Sequence, residues 1–189
     1  VERVLILIDK AETALRQDAH YDPQGHHDLA RRVASEGIVL LKNDEGLLPL
    51  KNDTKVALIG RFARTPRYQG AGSSLINPTR LENLFEELGK IMGEANILYA
   101  PGYTEQGETD ETLIQEAIHT ASSADVVVIH AGLTDLDEVE GIDRQHLRLP
   151  AGHDALIERI AQYHNRVVVV LSNGSPIEMP WVGKVSAIL

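Results

Sequence analysis

Residues 124–150, ADVVVIHAGLTDLDEVEGIDRQHLRLP, join the most strand-like run of the chain to its most acidic loop. Positions 126–129 are three valines and an isoleucine, a continuous β-branched run that is typical of a strand buried on both faces. Five carboxylates follow before Arg144. A core strand that delivers acidic residues at its carboxyl end is a common way to build a site in an open α/β sheet.

Short apolar runs alternate with helical patterns over most of the chain. The strand candidates are residues 55–60, 96–100, 125–131, 166–171 and 185–189, and the helix candidates are residues 78–88, 110–122 and 152–163. Asn77 before Pro78 predicts the start of the first helix, and Thr109 with Asp110 predicts the start of the second. This alternation predicts an α/β fold, a three-layer α/β/α sandwich whose mainly parallel sheet is covered on both faces.

The first forty residues follow a different pattern. Apolar residues recur at helical spacing over residues 1–17, which predicts an amphipathic helix, and residues 20–25 form a turn-rich linker. A second helix is expected over residues 27–35, with a buried face formed by Leu29, Ala30, Val33 and Ala34, and a short strand over residues 38–41. Because the chain starts without Met and ends in an apolar run, we expect a segment of a longer protein.

Three long loops are expected to meet at one edge of the sheet, because right-handed crossovers place every strand-to-helix loop on the same side. They are the Gly/Ser loop (residues 61–77), the acidic loop (residues 132–152) and the third loop (residues 172–180). Glycines in the Gly/Ser loop would let backbone N–H groups approach a ligand. However, the loop lacks both the Walker ending and GxGxxG spacing, and such loops are often only flexible connections.

The acidic loop has three possible interpretations: a solvated connection, a calcium site and a catalytic loop. The carboxylate spacing does not match the EF-hand series. Glu140 favours catalysis, because its small neighbour Gly141 lets the carboxyl project and Arg144 could fix the loop. From the residues alone these alternatives stay open.

Composition and motifs disfavour several classes of protein. The formal net charge of −10 argues against a nucleic-acid partner, and no apolar run reaches membrane-spanning length. The chain has no cysteine, and its histidines show no ligand spacing, so we predict no metal centre and place the histidines on the surface or along helices. Ser73, Ser74 and Ser175 lack a nucleophile-elbow pattern. We predict no cofactor, and the compartment is left open.

Four blocks of sequence carry a family resemblance. They are ASEGIVLLKNDEGLLPL (residues 34–50), TPRYQGAGSS (65–74), EGIDRQHLRLP (140–150) and VVVLSNGSPIEMPW (168–181). In this order they resemble the second domain of the family 3 glycoside hydrolases, the β-glucosidase and β-xylosidase group. Residues 1–24 are similar to the helix and linker that leave the family's first domain, a TIM-like barrel. Residues 25–189 would then be the α/β sandwich domain, truncated at its C-terminus.

The resemblance implies one domain of a retaining β-glycosidase, similar to β-glucosidases, that hydrolyses O-glycosidic bonds of a β-linked glycoside or oligosaccharide. In that family a barrel Asp is the nucleophile, and a Glu on a loop of the second domain is the general acid/base. The Glu that precedes Gly in the family's E-G-x-D-R run corresponds to Glu140. Glu138 is the fallback, because loop alignment can slip by two positions.

The same resemblance places the Gly/Ser loop near the sugar pocket, which makes Arg67, Gly70, Gly72, Ser73 and Ser74 candidate substrate-binding residues. The nucleophile would come from a partner, the barrel domain of the same protein, so we expect the isolated segment to be inactive. Retaining chemistry needs two carboxyl groups about 5 Å apart. The competing hypotheses are a noncatalytic α/β ligand-binding domain and a purely structural domain.

Overall fold

The computed structural model describes residues 1–15 and 20–189, apart from the side chain of Ser74. They form two compact units, Val1–Ile38 and Val39–Leu189. The first unit contains helices α1 (Glu2–Ala14) and α2 (Pro23–Gly37). The helix predicted over residues 1–17 is confirmed as α1, and residues 16–17 of that prediction lie outside the described residues.

Helix α2 is longer than predicted. It begins at Pro23, so the linker predicted over residues 20–25 is wrong from that residue onward. Proline fits the first helical position because its fixed φ is already helical and its missing N–H would have no partner there. The face predicted to be buried, which includes Leu29 and Val33, is exposed, and no described residue of α1 or α2 is buried. The assignment of residues 1–24 to the end of a barrel domain stays a prediction.

The second unit is built on a six-stranded sheet. Its strands are β1 (Lys42–Asn43), β2 (Val56–Ile59), β3 (Ile97–Ala100), β4 (Val126–Gly132), β5 (Val167–Ser172) and β6 (Ala187–Ile188). They lie in the order β1-β6-β5-β4-β2-β3, and every neighbouring pair is parallel except β1 with β6. The predicted mainly parallel sheet is therefore confirmed. The strand predicted over residues 38–41 is wrong, because pairing with β6 as a strand starts at Lys42.

Helices cover both faces of this sheet. Helices α4 (Glu111–Ala121) and α5 (Ala151–Tyr163) pack on one face, against a core that includes Val127 and Ile129 of β4. Helix α3 (Leu84–Met92) packs on the other face with Val126 and Val128. All seven residues of β4 are buried, as expected for a central strand with helices above and below. The three-layer α/β/α sandwich is confirmed.

The predicted start of α3 is wrong. The N-cap residue is Asn83, whose side chain accepts a hydrogen bond from the backbone N–H of Glu86 at 2.9 Å. Asn77 and the residues up to Asn83 are not helical. The residue before Asn77, Ile76, is bound to Gln69, whose amide accepts from the Ile76 N–H at 3.0 Å and donates to its carbonyl oxygen at 3.2 Å.

The sequence contains one tryptophan, Trp181, and it is fully buried where the third loop meets the sandwich. Its indole N–H donates to Asp154 Oδ1 at 2.8 Å, which links the loop to the first turn of α5. Burial of the indole gives a large apolar contact, and the hydrogen bond satisfies its polar edge. Trp181 therefore anchors the packing of this loop.

The helices described in residues 1–15 and 20–189 include none with the length and apolar composition needed to cross a membrane. The longest, α2, has 15 residues and begins with several polar ones. A membrane-spanning helix needs about 20 predominantly apolar residues.

Candidate active site

The three predicted loops meet at the carboxyl edge of the sheet. Arg67 of the Gly/Ser loop pairs with Glu138 of the acidic loop, and Glu138 in turn binds Gly174 of the third loop. An isolated β-bridge also joins Ala71 to Val139. The meeting of loops that crossover handedness predicted is therefore present in the structure.

The Glu138 carboxylate lies at the centre of this junction, with 17% of its side chain exposed. It accepts hydrogen bonds from the Arg67 guanidinium, from the Gly174 N–H at 2.9 Å and from the Ser175 hydroxyl at 2.9 Å. Burial alone would raise the pKa of Glu138, but the hydrogen bonds from Arg67, Ser175 and Gly174 together hold that pKa below its usual value. Glu138 is therefore ionised at neutral pH.

Arg67 connects two carboxylates of the acidic loop. Only 11% of its side chain is exposed, and its guanidinium also pairs with Asp135 Oδ1 at 3.2 Å. Asp135 is 66% exposed, so this second ion pair is weaker in water than the pair with Glu138. Arg67, predicted as a substrate-binding residue, lies in the structure as the partner of these two carboxylates.

Glu140, two residues beyond Glu138, has a different environment. Its side chain is exposed, and its carboxylate accepts a hydrogen bond from the Ser73 hydroxyl. The backbone is held on both sides of it, because Val139 forms bridges with Ala71 and with Ile142. Gly141 has a φ of +85°, a left-handed conformation that favours glycine. The turn therefore presents the Glu140 carboxyl outward.

The Gly/Ser loop contacts this carboxyl through the Ser73 hydroxyl. Gly72 and Ser73 belong to a short 3-10 turn, Gly72–Ser74, and the Gly72 φ of +85° again favours glycine. The Ser74 side chain lies outside the described part of the structure. Gly70 lines an open cavity of about 530 Å³ that also borders Arg67, Glu138 and the third loop. The structure thus places four of the five predicted substrate-binding residues around the two candidate glutamates.

Arg144 fixes the far end of the acidic loop. Its guanidinium donates to the Ser175 hydroxyl at 2.6 Å and to the Pro176 carbonyl oxygen at 3.1 Å. Ser175 therefore binds both Arg144 and Glu138. This arrangement agrees with the loop-fixing role expected of Arg144, and no local signal in the sequence pointed to Ser175 as the shared partner.

The expectation that the histidines lie on the surface or along helices is wrong for His130, whereas His153 lies along a helix but is buried. His130 lies within β4 and His153 within α5, and both side chains are buried. His130 Nε2 lies 2.8 Å from the Ser172 hydroxyl, and His153 Nδ1 accepts from the Gly132 N–H at 3.3 Å. Burial lowers the pKa of each imidazole to about 4. The position of His130 inside an apolar strand was the signal in the sequence that could have revealed its burial.

Residues 1–15 and 20–189 contain no group of three or more His, Cys, Asp or Glu side chains arranged to hold a metal ion. In the acidic loop, the carboxylate of Glu138 is directed at hydrogen-bond donors, and Asp137 accepts from the N–H and hydroxyl of Thr134, both at 2.8 Å. These carboxylates therefore stabilise the loop itself.

Comparison with known proteins gives consistent matches. Residues 38–189 match the family model of the glycosyl hydrolase family 3 C-terminal domain. Over its whole length the chain is 49% identical to thermostable beta-glucosidase B of Acetivibrio thermocellus, and it covers 25% of that protein. It is 42% identical, over 97% of its length, to an exo-alpha-(1->6)-L-arabinopyranosidase of Bifidobacterium longum, of which it covers 26%.

A solved structure agrees with these matches. The crystal structure of a family 3 beta-glucosidase from Bifidobacterium adolescentis has a TM-score of 0.87 and 40% sequence identity to this chain. The match covers 97% of this chain and 27% of that protein. The fold and these matches therefore define an α/β sandwich domain of the glycoside hydrolase class.

The chain belongs to glycoside hydrolase family 3 and corresponds to the family's C-terminal domain. The resemblance seen in the sequence is confirmed. The chain spans about a quarter of the length of the curated relatives that it matches, 25% of one and 26% of the other. In those relatives the equivalent domain is part of a larger protein.

Proposed function

We propose that this chain supplies the general acid/base, Glu140, to a retaining β-glycosidase of the β-glucosidase type. A barrel domain of the same protein would supply the nucleophile. The observation that supports this assignment most directly is the contrast between two neighbouring glutamates. The carboxylate of Glu138 is bound by three donors, whereas Glu140 is exposed at the edge where the loops meet.

The proposed chemistry needs a carboxyl that is able to gain and lose a proton. In the first step, Glu140 donates its proton to the glycosidic oxygen while the partner's carboxylate attacks the anomeric carbon. In the second step, Glu140 takes a proton from the water that hydrolyses the glycosyl-enzyme intermediate. Glu138 is poorly suited to this cycle, because its three donors all stabilise the ionised form.

A barrel docked against the loop edge would complete the site in two ways. It would bring the second carboxyl to about 5 Å from the first, the separation that retaining glycosidases use. It would also remove water from around Glu140, which strengthens hydrogen bonds and charge interactions in the site. Residues 70–74 border the same edge, so we place them beside the bound glycoside.

The test compares two single variants in the complete enzyme with chromogenic aryl β-glucosides. We expect Glu140→Ala to lower kcat by about 10²–10⁴-fold for a poor leaving group. In kcat/KM, which reports the first step, the loss should be smaller for an activated leaving group, which needs less protonation. Added azide should restore turnover because this anion attacks the anomeric carbon of the glycosyl-enzyme intermediate directly, releasing the partner's carboxylate and forming a glycosyl azide without a general base. Azide should accelerate Glu138→Ala much less than Glu140→Ala. If azide rescues Glu138→Ala and leaves Glu140→Ala unchanged, the general acid/base is Glu138, two residues before the residue assigned here.

A second measurement tests whether the site needs two domains. The isolated chain and the complete enzyme should be assayed with aryl β-glucosides and with aryl α-L-arabinopyranosides, because the names of the relatives include both activities. We expect turnover only from the complete enzyme. Appreciable turnover by the isolated chain on either substrate would overturn the two-domain proposal.

A further inference from the structure

We propose that Glu138 is a positioning residue: by joining Arg67 to the third loop, it fixes the acidic loop so that Glu140 faces the substrate. The inference rests on the proposed function of Glu140. Glu138 itself would neither donate nor accept a proton during the reaction.

The first argument is that two loops run side by side with matched contacts. Arg67 pairs with Glu138, Ala71 bridges to Val139 in a parallel sense, and the Ser73 hydroxyl donates to the next residue, Glu140. These three contacts join three consecutive residues of the acidic loop, in the same chain order, to residues 67, 71 and 73 of the Gly/Ser loop. Displacing the acidic loop at Glu138 would therefore also displace Glu140.

The second argument is that the third loop fits closely against Glu138. The Gly174 N–H lies 2.9 Å from Glu138 Oε1 and 3.2 Å from Oε2, and the Ser175 hydroxyl is 2.9 Å from Oε1. A Cβ added at Gly174 would lie only 3.1 Å from Oε1. The carboxylate therefore occupies a place shaped by two other loops, and each of them restrains it.

The third argument is electrostatic. Arg67 and Glu138 are both largely shielded from water, at 11% and 17% side-chain exposure. Removing the charge of one partner would leave the other shielded from water without its counter-ion, which is much less favourable than breaking an exposed ion pair. Arg67 would then keep the exposed Asp135 as its carboxylate partner, and a shift of its guanidinium toward Asp135 would pull the loops out of alignment.

The test uses Glu138→Gln in the complete enzyme, because glutamine keeps the size of the side chain and removes its charge. We expect kcat/KM, which reports the first step, to fall by about 10–100-fold for a poor leaving group, since misplacing a catalytic group by about 1 Å can cost that much. For an activated leaving group the loss in kcat/KM should stay within about threefold, because the first step with that substrate depends little on protonation by Glu140. If the substitution only reduced the amount of folded enzyme, activity would fall by the same factor for the poor and the activated leaving group.

The decisive measurement is a double-variant cycle. If Glu138 acts only through Glu140, adding Glu138→Gln to a Glu140→Ala enzyme should lower kcat by less than about twofold. A full additional loss in that background would show that Glu138 acts independently and would overturn the proposal. A Glu138→Gln single variant with normal kcat for the poor leaving group would overturn it as well.

Two further variants distinguish the proposed positioning role from misfolding. Arg67→Met removes the other partner of the same ion pair, and we expect it to reproduce the leaving-group dependence of Glu138→Gln. Glu111→Gln is the matched control, because Glu111 binds Arg159 at 2.9 and 3.1 Å on the surface of α4, and it should leave kcat unchanged. An Arg67→Met enzyme that loses activity equally for both leaving groups would contradict the positioning role.

These outcomes are separable from a failure of the proposed function. The acid/base assignment fails if Glu140→Ala is near wild type or is not rescued by azide. The positioning role fails if Glu140→Ala behaves as expected and the double-variant cycle is additive. The two results therefore identify which of the two proposals is wrong.

Discussion

Acidification is expected to weaken this fold through two buried histidines, His130 and His153. Burial lowers the pKa of each imidazole from 6.5 to about 4. Between these two pH values the unfolded chain binds more protons than the folded one, so the free energy of unfolding falls as pH falls. The stabilisation from keeping both rings neutral is fully present above about pH 6.5 and is lost progressively down to about pH 4.

The size of the effect follows from the two pKa values. For a single histidine, moving from pH 7 to pH 5 removes about 2 kcal/mol from the free energy of unfolding. The two histidines together remove about 4 kcal/mol, which is a large part of the 5–15 kcal/mol that stabilises a typical domain. The loss should therefore be easy to measure before the chain unfolds completely.

The assay is urea unfolding of this chain at pH 7 and pH 5. Unfolding is monitored by the fluorescence of its single, buried tryptophan, Trp181. Glutamine does not titrate, so His130→Gln and His153→Gln should each reduce the pH-dependent loss by about 2 kcal/mol. His119→Gln is the matched control, because His119 is exposed on α4, and it should show the same pH-dependent loss as the wild type.

Comparison of the variants separates the two buried histidines from the other titratable groups of the chain. If the wild type, His130→Gln and His153→Gln lose the same free energy between pH 7 and pH 5, the buried imidazoles do not cause the effect. Equal stability of the wild type at the two pH values would refute the reasoning more directly.

Two other substitutions should change stability measurably in the same urea assay. Gly60 has a φ of +117°, and a Cβ there would lie 2.2 Å from a carbonyl oxygen of β4, so Gly60→Ala should cost about 3 kcal/mol or more. Gly183 has open space around it, so Gly183→Ala should stay within about 0.5 kcal/mol of the wild type, and similar losses for both would contradict the steric argument. The Arg64 guanidinium lies 4.0 and 4.1 Å from the ring centroids of Phe85 and Tyr99, so Arg64→Ala should cost about 1–2 kcal/mol. An unchanged urea midpoint for Arg64→Ala would show that these ring contacts contribute nothing.

The sheet could be predicted from the sequence because its signal is local. The run at residues 126–129 is uninterrupted and β-branched, and each of its side chains is buried whichever face it points to. The start of α3 could not be predicted in the same way. Asn77 and Asn83 offer the same capping chemistry, and in the structure Asn83 is the residue that caps the helix.

The candidate site was predictable only to the level of the loops. The right-handedness of the crossovers was enough to predict that three loops meet at one edge of the sheet. The difference between Glu138 and Glu140 depends on contacts with Arg67, Ser73 and Gly174, which are 71, 67 and 36 positions distant from their partners in the chain. Glu138 and Glu140 have the same side chain and lie two residues apart, so the local sequence does not indicate that their environments differ.

The tie between Arg67, Glu138 and Gly174 lies wholly within residues 39–189. The described contacts that hold the loop presenting Glu140 are therefore made within this unit. Under the proposed division of roles, a domain that holds its own proton donor could be combined with barrels of different pocket shape. We expect evolution, or a protein engineer, to change the sugar that is recognised by altering the barrel while leaving this half of the machinery intact.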